Sequence, residues 1–218
     1  MQFPFAEYGR KDLLAFGVAA LAAVGVCLAF APYLVPIPVL LFAFVAYFFR
    51  DPKREVPDLS NVLLAPADGK VMDISEIEES DFIKGPAYKI GIFLSVFNVH
   101  INRSPVSGKV DFLRYEEGDF KAAFHPHATR DNENNVIGIT CDDPAIGKVV
   151  VRQIAGVIAR RIVCDCQVED VVERGQKIGM IKFGSRTELY VPKKEGVVLT
   201  TKVGDKVLAG VTILGTVS

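Results

Sequence analysis

From Leu13 to Phe49 the chain carries no charged side chain, and its apolar positions run on without a polar face. A membrane-spanning helix takes about 20 such residues, so the stretch is too long for one span and suits two short ones. Pro32, Pro36 and Pro38 divide it, because proline inside a helix removes a hydrogen bond and clashes with the preceding turn. The pattern predicts one membrane helix over residues 13–30. A second, over 37–49, is shorter and either spans at a tilt or re-enters. Past Arg50 the pattern changes to short runs of β-branched and aromatic residues separated by turn residues. VLLAPADGKVMDI, KIGIFLSVFNVHI, GKVDFLRY, VIGITC, KVVVRQIAGVIARRIVCDC, GMIKF, ELYV and GVVLTTKV all read as strands. Helical periodicity is scarce there; at best SDFIK or the stretch around Phe120–Phe124 forms a turn of helix. The chain therefore divides into an N-terminal anchor, residues 1–49, and a mostly β (β-rich α+β) domain, residues 50–218.

Two pairs of near-copies recur in that domain. APADGKV (65–71) matches SPVSGKV (104–110), and VVERGQKIGMI (171–181) resembles KVGDKVLAGVTILG (202–215). Such pairs occur in lipoyl- and biotinyl-type modules, where short strands fold over one another in a flattened barrel and glycines turn the sheet corners. The expected fold is a compact, barrel-sandwich-like domain built from such half-motifs, preceded by a membrane helical hairpin.

Charge orients the anchor. Arg10 and Lys11 precede the first apolar run, and Arg50, Lys53 and Arg54 follow the second. The positive-inside rule then places both ends, and the domain, on the cytoplasmic face of the cell membrane. A cleaved signal peptide is the rival reading, but AFA before Pro32 is a poor cleavage site and a second apolar run follows at once. The formal net charge of −1 gives no reason to expect a nucleic-acid partner. Four cysteines do not make a disulfide framework in a cytosolic domain. Cys164 and Cys166 share one side of a strand without a nearby histidine, which favours buried thiols over a metal site.

Candidate chemistry is sparse. Of the three histidines, His100 closes the strand-like run SVFNVHI, while His125 and His127 sit in a polar stretch that reads as a loop. Asp68 lies in a Pro-x-Asp-Gly turn, and Ser185 follows Gly184 between the apolar runs IKF and ELYV. Each has a plain reading as a turn or strand residue; the Gly-Ser pair in particular reads as a β-hairpin turn. Together they are the parts of an Asp-His-Ser relay. No G-x-S-x-G elbow presents Ser185 to a foreign substrate. A glycine before it suits attack on its own upstream carbonyl, since no Cβ blocks the hydroxyl.

FFRDPKREVP, APADGKV, IGIFLSVFNVHINRSPVSGKV, DNENN, QIAGVIARRIV and GMIKFGSRTELYVP together resemble the short, membrane-anchored form of the phosphatidylserine decarboxylase proenzymes, a pyruvoyl-dependent family. The resemblance runs from about residue 48 to the C-terminus. It implies autocatalytic serinolysis at Gly184–Ser185, with Asp68 and His100 activating the Ser185 hydroxyl. An ester forms by N-to-O acyl shift, β-elimination cuts the chain, and Ser185 becomes an N-terminal pyruvoyl group. The β chain, 1–184, and the α chain, 185–218, stay together as a heterodimer; a higher oligomer is left open. Phosphatidylserine then forms a Schiff base with the pyruvoyl ketone and loses CO2 to give phosphatidylethanolamine, with no metal and no pyridoxal phosphate. The sequence departs from the family at two places. Phe97 stands where longer members carry a second histidine, which leaves the decarboxylation proton donor unassigned, and Asn134 stands where arginine is common. Arg103 and Arg186 lie close to the relay residues in sequence and suit either lipid phosphate or ordinary strand positions. Two alternatives remain: an archaetidylserine decarboxylase, whose reacting head group is the same, and a membrane-tethered barrel-sandwich carrier or adaptor without enzyme activity. FGSR has no lysine for a carrier, and residues 111–170 show no sustained heptads for an adaptor.

Overall fold

The computed structural model describes residues 5–119, 132–156, 161–182 and 185–218. The chain divides into two compact units, Met1–Lys53 and Arg54–Ser218. In the first, α1 (Arg10–Phe30) and α2 (Pro36–Phe48) are joined through a 3-10 turn at Pro32–Leu34. Pro32 opens the turn and Pro36 opens α2, positions where a missing N–H breaks no intrahelical bond. The helical run Glu7–Phe30 is long and apolar enough to cross a membrane, and protein buries none of its most apolar window. α1 packs against α2 at Gly17, where a Cβ would meet the Phe42 ring in ordinary contact at 3.4 Å. At 13 residues α2 is shorter than a full span.

The second unit is mostly β, and its strands form two copies of one motif. The inserted copy runs β4 (Ile101–Arg103), β5 (Gly108–Glu116), β6 (Asn134–Cys141), β7 (Lys148–Ile154), β8 (Ile162–Cys164), β9 (Val171–Val172) and β10 (Lys177–Ile181). The host copy begins with β1 (Val62–Leu64), β2 (Gly69–Glu79) and β3 (Gly85–Leu94). It resumes after the insertion with β11 (Ser185–Pro192), β12 (Val197–Leu199), β13 (Lys206–Val207) and β14 (Ile213–Val217). A curled eight-stranded sheet in the order β13-β2-β3-β11-β7-β6-β5-β9 holds four strands of each copy. The three-stranded sheets β1-β14-β12 and β4-β10-β8 are counterparts. At the centre Leu189 pairs with Val151, flanked by Glu188 with Arg152 and Tyr190 with Val150.

The repeated Gly-Lys-Val segments start β2 and β5 alike. Lys70 faces Phe93 and Val71 faces Ile92 before a bulge, just as Lys109 faces Thr140 and Val110 faces Ile139 before another. Glycine is needed at the first position of each strand: a Cβ on Gly69 would lie 2.2 Å from the Phe93 carbonyl oxygen, and one on Gly108 2.2 Å from that of Thr140. One core joins the copies through Leu63, Val71, Ile92, Val110, Ile139, Ile178 and Leu189, all fully buried. Each such side chain contributes roughly 1.5–3 kcal/mol by leaving water.

Two local expectations change. SDFIK is a turn, not a helix, because the Glu79 carboxylate accepts the backbone N–H groups of Asp81, Phe82 and Ile83 at 2.9, 3.0 and 2.6 Å. The stretch around Phe120–Phe124 lies outside the described residues. IKF and ELYV, moreover, are not the arms of a hairpin. Ile181 ends β10 in a three-stranded sheet, whereas Ser185 begins β11 between β3 and β7 of the eight-stranded one. The insertion accounts for this, because the strand that pairs with β11 on the host side, β3, precedes the whole inserted copy.

Candidate active site

The chain crosses between copies twice, from β3 to β4 through residues 95–100 and from β10 to β11 through 182–184. His100 closes the first crossing and Ser185 ends the second. Pairing pins both crossings at both ends: Ser185 sits opposite Leu94, and the Ile181 N–H donates to the His100 carbonyl at 3.2 Å. Gly184, the other half of the Gly-Ser pair, lies outside the described residues. Ser185 is fully buried, and its Oγ has no hydrogen-bond partner among the described residues. A buried hydroxyl without a partner forgoes about 1–3 kcal/mol, so serine is a costly choice here unless its oxygen reacts.

The first crossing is shaped by Asn98. Its Oδ1 accepts from Ser95 N–H at 2.9 Å and from Ser95 Oγ at 2.8 Å, while its own N–H donates to the Ser95 carbonyl at 2.9 Å. The turn brings the Asn98 carbonyl within 3.0 Å of His100 Nδ1. A carbonyl oxygen only accepts, so Nδ1 carries the proton of neutral His100 and Nε2 carries the basic lone pair. His100 is fully buried.

Asp68 lies between β1 and β2, also buried. Arg54 Nη2 donates to its Oδ2 at 2.6 Å and the Ala209 N–H to its Oδ1 at 2.8 Å. Beside Ser185, a chain of buried amides ties four strands together. Asn102 Nδ2 donates to Thr187 Oγ1 at 3.0 Å, Gln153 Nε2 to Asn102 Oδ1 at 2.9 Å, and Asn135 Nδ2 to Gln153 Oε1 at 3.0 Å. Arg54, Asn102, Gln153 and Thr187 escape a reading of motifs. Gln153 alone leaves a trace, as a polar residue inside the apolar run VVVRQI.

The arginines near the relay residues in sequence have protein partners. Arg103 Nη1 donates to the Gly175 carbonyl at 2.8 Å. Arg186 pairs with Glu188 through Nε at 2.7 Å and with Asp73 through Nη2 at 2.6 Å. Burial alone would lower its pKa, but the two carboxylates outweigh that and raise it. Tyr190 donates to Glu188, and burial, then that carboxylate, push its phenol up. This network lies on the opposite face of β11 from Ser185 and Thr187. Phe97 is 64% exposed. Asn134 donates to Glu116 at 3.0 Å and to the Asn132 carbonyl at 3.1 Å. All four cysteines are free thiols. His125 and His127 lie outside the described residues.

The arrangement offers a buried serine whose oxygen has no partner among the described residues, a histidine whose Nδ1 meets a backbone carbonyl in the adjacent crossing, and a charge-paired aspartate. The sequence model of the phosphatidylserine decarboxylase family matches residues 41–215. A phosphatidylserine decarboxylase proenzyme of Carboxydothermus hydrogenoformans is 50% identical over 176 residues, 81% of each chain. The proenzyme of Rhodopirellula baltica is 43% identical over 96% of this chain and 87% of its own. That of Solidesulfovibrio magneticus is 42% identical over 98% of both. With a family match over most of its length and relatives that align from end to end, the chain belongs to the phosphatidylserine decarboxylase family, a family of enzymes made as proenzymes.

Proposed function

We propose that this chain cuts itself between Gly184 and Ser185 and, with the pyruvoyl group so formed, decarboxylates phosphatidylserine to phosphatidylethanolamine at the membrane. The observation that carries the reading is the buried Ser185 Oγ, without a partner among the described residues, at the start of β11. His100 Nε2 is the base that takes the hydroxyl proton, and Asp68 stabilises the imidazolium. The oxygen attacks the Gly184 carbonyl, the Ser185 nitrogen leaves that carbon, and the peptide bond becomes an ester. Loss of the Cα proton expels the Gly184 carboxylate and leaves a dehydroalanine at the head of the new chain. Water then replaces its nitrogen, releasing ammonia and leaving the ketone.

The fit to that group rests on the same serine, which stands in the interior next to buried polar groups rather than on a surface turn. Once formed, the pyruvoyl group supplies an electron sink for the bond to the departing carboxylate. The chain's own residues hold the two fragments together. β11 pairs along its length with β3 and with β7, β13 with β2, and β14 with β1. Cleavage at 184–185 therefore cuts no strand pair. The apolar helix α1, with Arg10 and Lys11 before the apolar stretch and Arg50 and Lys53 after it, supports anchoring with both ends on the cytoplasmic side. The test is reduction with cyanoborohydride in the presence of phosphatidylserine vesicles. The lipid should become attached to the 185–218 fragment, and attachment to a lysine instead would sink the reading.

A further inference from the structure

Asp68 has a counterpart in the inserted copy, and the comparison isolates what its charge is for. Ser107 occupies the same place before β5 that Asp68 occupies before β2. The Arg174 N–H donates to Ser107 Oγ at 3.0 Å, as the Ala209 N–H donates to Asp68 Oδ1 at 2.8 Å. The next residues match as well: Gly175 N–H donates to the Ser104 carbonyl at 2.8 Å and Gly210 N–H to that of Ala65 at 2.9 Å. A neutral serine thus performs the backbone duty in one copy. The carboxylate of Asp68, and the second oxygen it turns to Arg54, are surplus to the fold.

We infer that Arg54 is a positioning residue for self-cleavage and acts through Asp68; the inference rests on the reading of Ser185 and Asp68 above. The Arg54 and Asp68 side chains are 10% and 5% exposed, with 2.6 Å between Nη2 and Oδ2. A carboxylate so deeply buried is held in one orientation only where a charged partner and satisfied oxygens offset its lost hydration. Arg54 supplies the charge from the 1–184 side of the scissile bond, and Ala209 fixes the other oxygen from the 185–218 side. Without the guanidinium, Asp68 Oδ2 loses its partner and the carboxylate is free to turn, so its support of His100 is lost. Arg54 is also the first residue of the second unit, so the segment that leaves the anchor completes the processing site.

The test uses the full chain, pulse-labelled by cell-free synthesis into lipid nanodiscs and chased by gel. Arg54→Gln should slow cleavage at 184–185 by about tenfold or more, and Arg54→Lys, which keeps the charge without the fork, should fall between. Asp68→Ser copies the inserted motif and keeps the backbone bond. In that background Arg54→Gln should cost nothing further, because the partner it acts through is gone. The Arg54→Gln/Asp68→Ser chain buries no unpaired charge, so it remains informative if Arg54→Gln alone misfolds. Folding is checked by melting each variant in a Ser185→Ala chain. A folded Arg54→Gln chain that cleaves at the wild-type rate overturns the inference. So does a double variant slower than Asp68→Ser by the factor seen for Arg54→Gln alone. Cleavage at this bond in Ser185→Ala would instead overturn the serinolysis reading, a separate failure.

Discussion

Removing the Asn102 side chain should destabilise the domain and slow its processing together. Asn102 donates to Thr187 Oγ1 at 3.0 Å and to the Pro66 carbonyl at 3.4 Å, and accepts from Gln153 at 2.9 Å. Asn102, Gln153 and Thr187 are fully buried, so no water replaces what is removed. Three hydrogen bonds at about 1 kcal/mol net, with Thr187 and Gln153 left short of partners, put Asn102→Ala at about 3–5 kcal/mol. Thr187→Val removes one of those bonds and should cost about 1–2 kcal/mol. Both are measured by urea unfolding in a Ser185→Ala background, so that every sample is one chain. Thr187 stands two residues after Ser185 on the same strand face, so Asn102→Ala in the otherwise native chain should also accumulate precursor. A cost below about 1 kcal/mol for Asn102→Ala, or normal processing in a chain so weakened, would refute the idea that the amide chain sets the position of β11.

Three further outcomes follow from other parts of the molecule. Hydrogen bonding with Cys166 draws the Cys164 thiol down, while burial pushes Cys141 up to about 12. Iodoacetamide at pH 7 should therefore label Cys164 well ahead of Cys141, and equal labelling would contradict this. The hydrogen bond from Arg114, at 2.8 and 2.6 Å, holds Asp81 below its ordinary 3.8. A depressed carboxylate contributes stability above its unfolded value and loses it as pH falls through the folded one. Asp81→Asn should thus lower the melting temperature more at pH 7 than at pH 3; a constant difference would argue against the pair. A chain shortened to begin at Arg50 retains Arg54 and every strand, and should still self-cleave. Failure to process while folded would show that the anchor takes part in the chemistry.

The repeated Gly-Lys-Val and V-x-x-G segments made half-motifs legible, because tight sheet corners demand glycine wherever they occur. The two helices were legible as well, since prolines and an unbroken apolar run leave few alternatives. What the chain did not disclose was that one copy is inserted into the other. Alternation on either side of Gly184–Ser185 has the period of a hairpin, and nothing local records that β3, the partner of β11, lies before the whole inserted copy. The pairings of Arg54 and Gln153 were opaque for the same reason. Their partners, Asp68 and Asn102, are remote in sequence, and long-range contacts leave no spacing to read. Ser185, His100 and Asp68 stood out through resemblance, not through periodicity.

The central claim is that Ser185 becomes the reactive group of this enzyme. The most direct measurement is the mass of the purified full chain and of its fragments under denaturing conditions. The account predicts two fragments, 1–184 and 185–218, the second lighter by one ammonia than a peptide that begins with free serine and closed to Edman degradation. Ser185→Ala should give a single inactive chain of full mass. A wild-type chain that is intact, open at its N-terminus and fully active on phosphatidylserine would contradict the account.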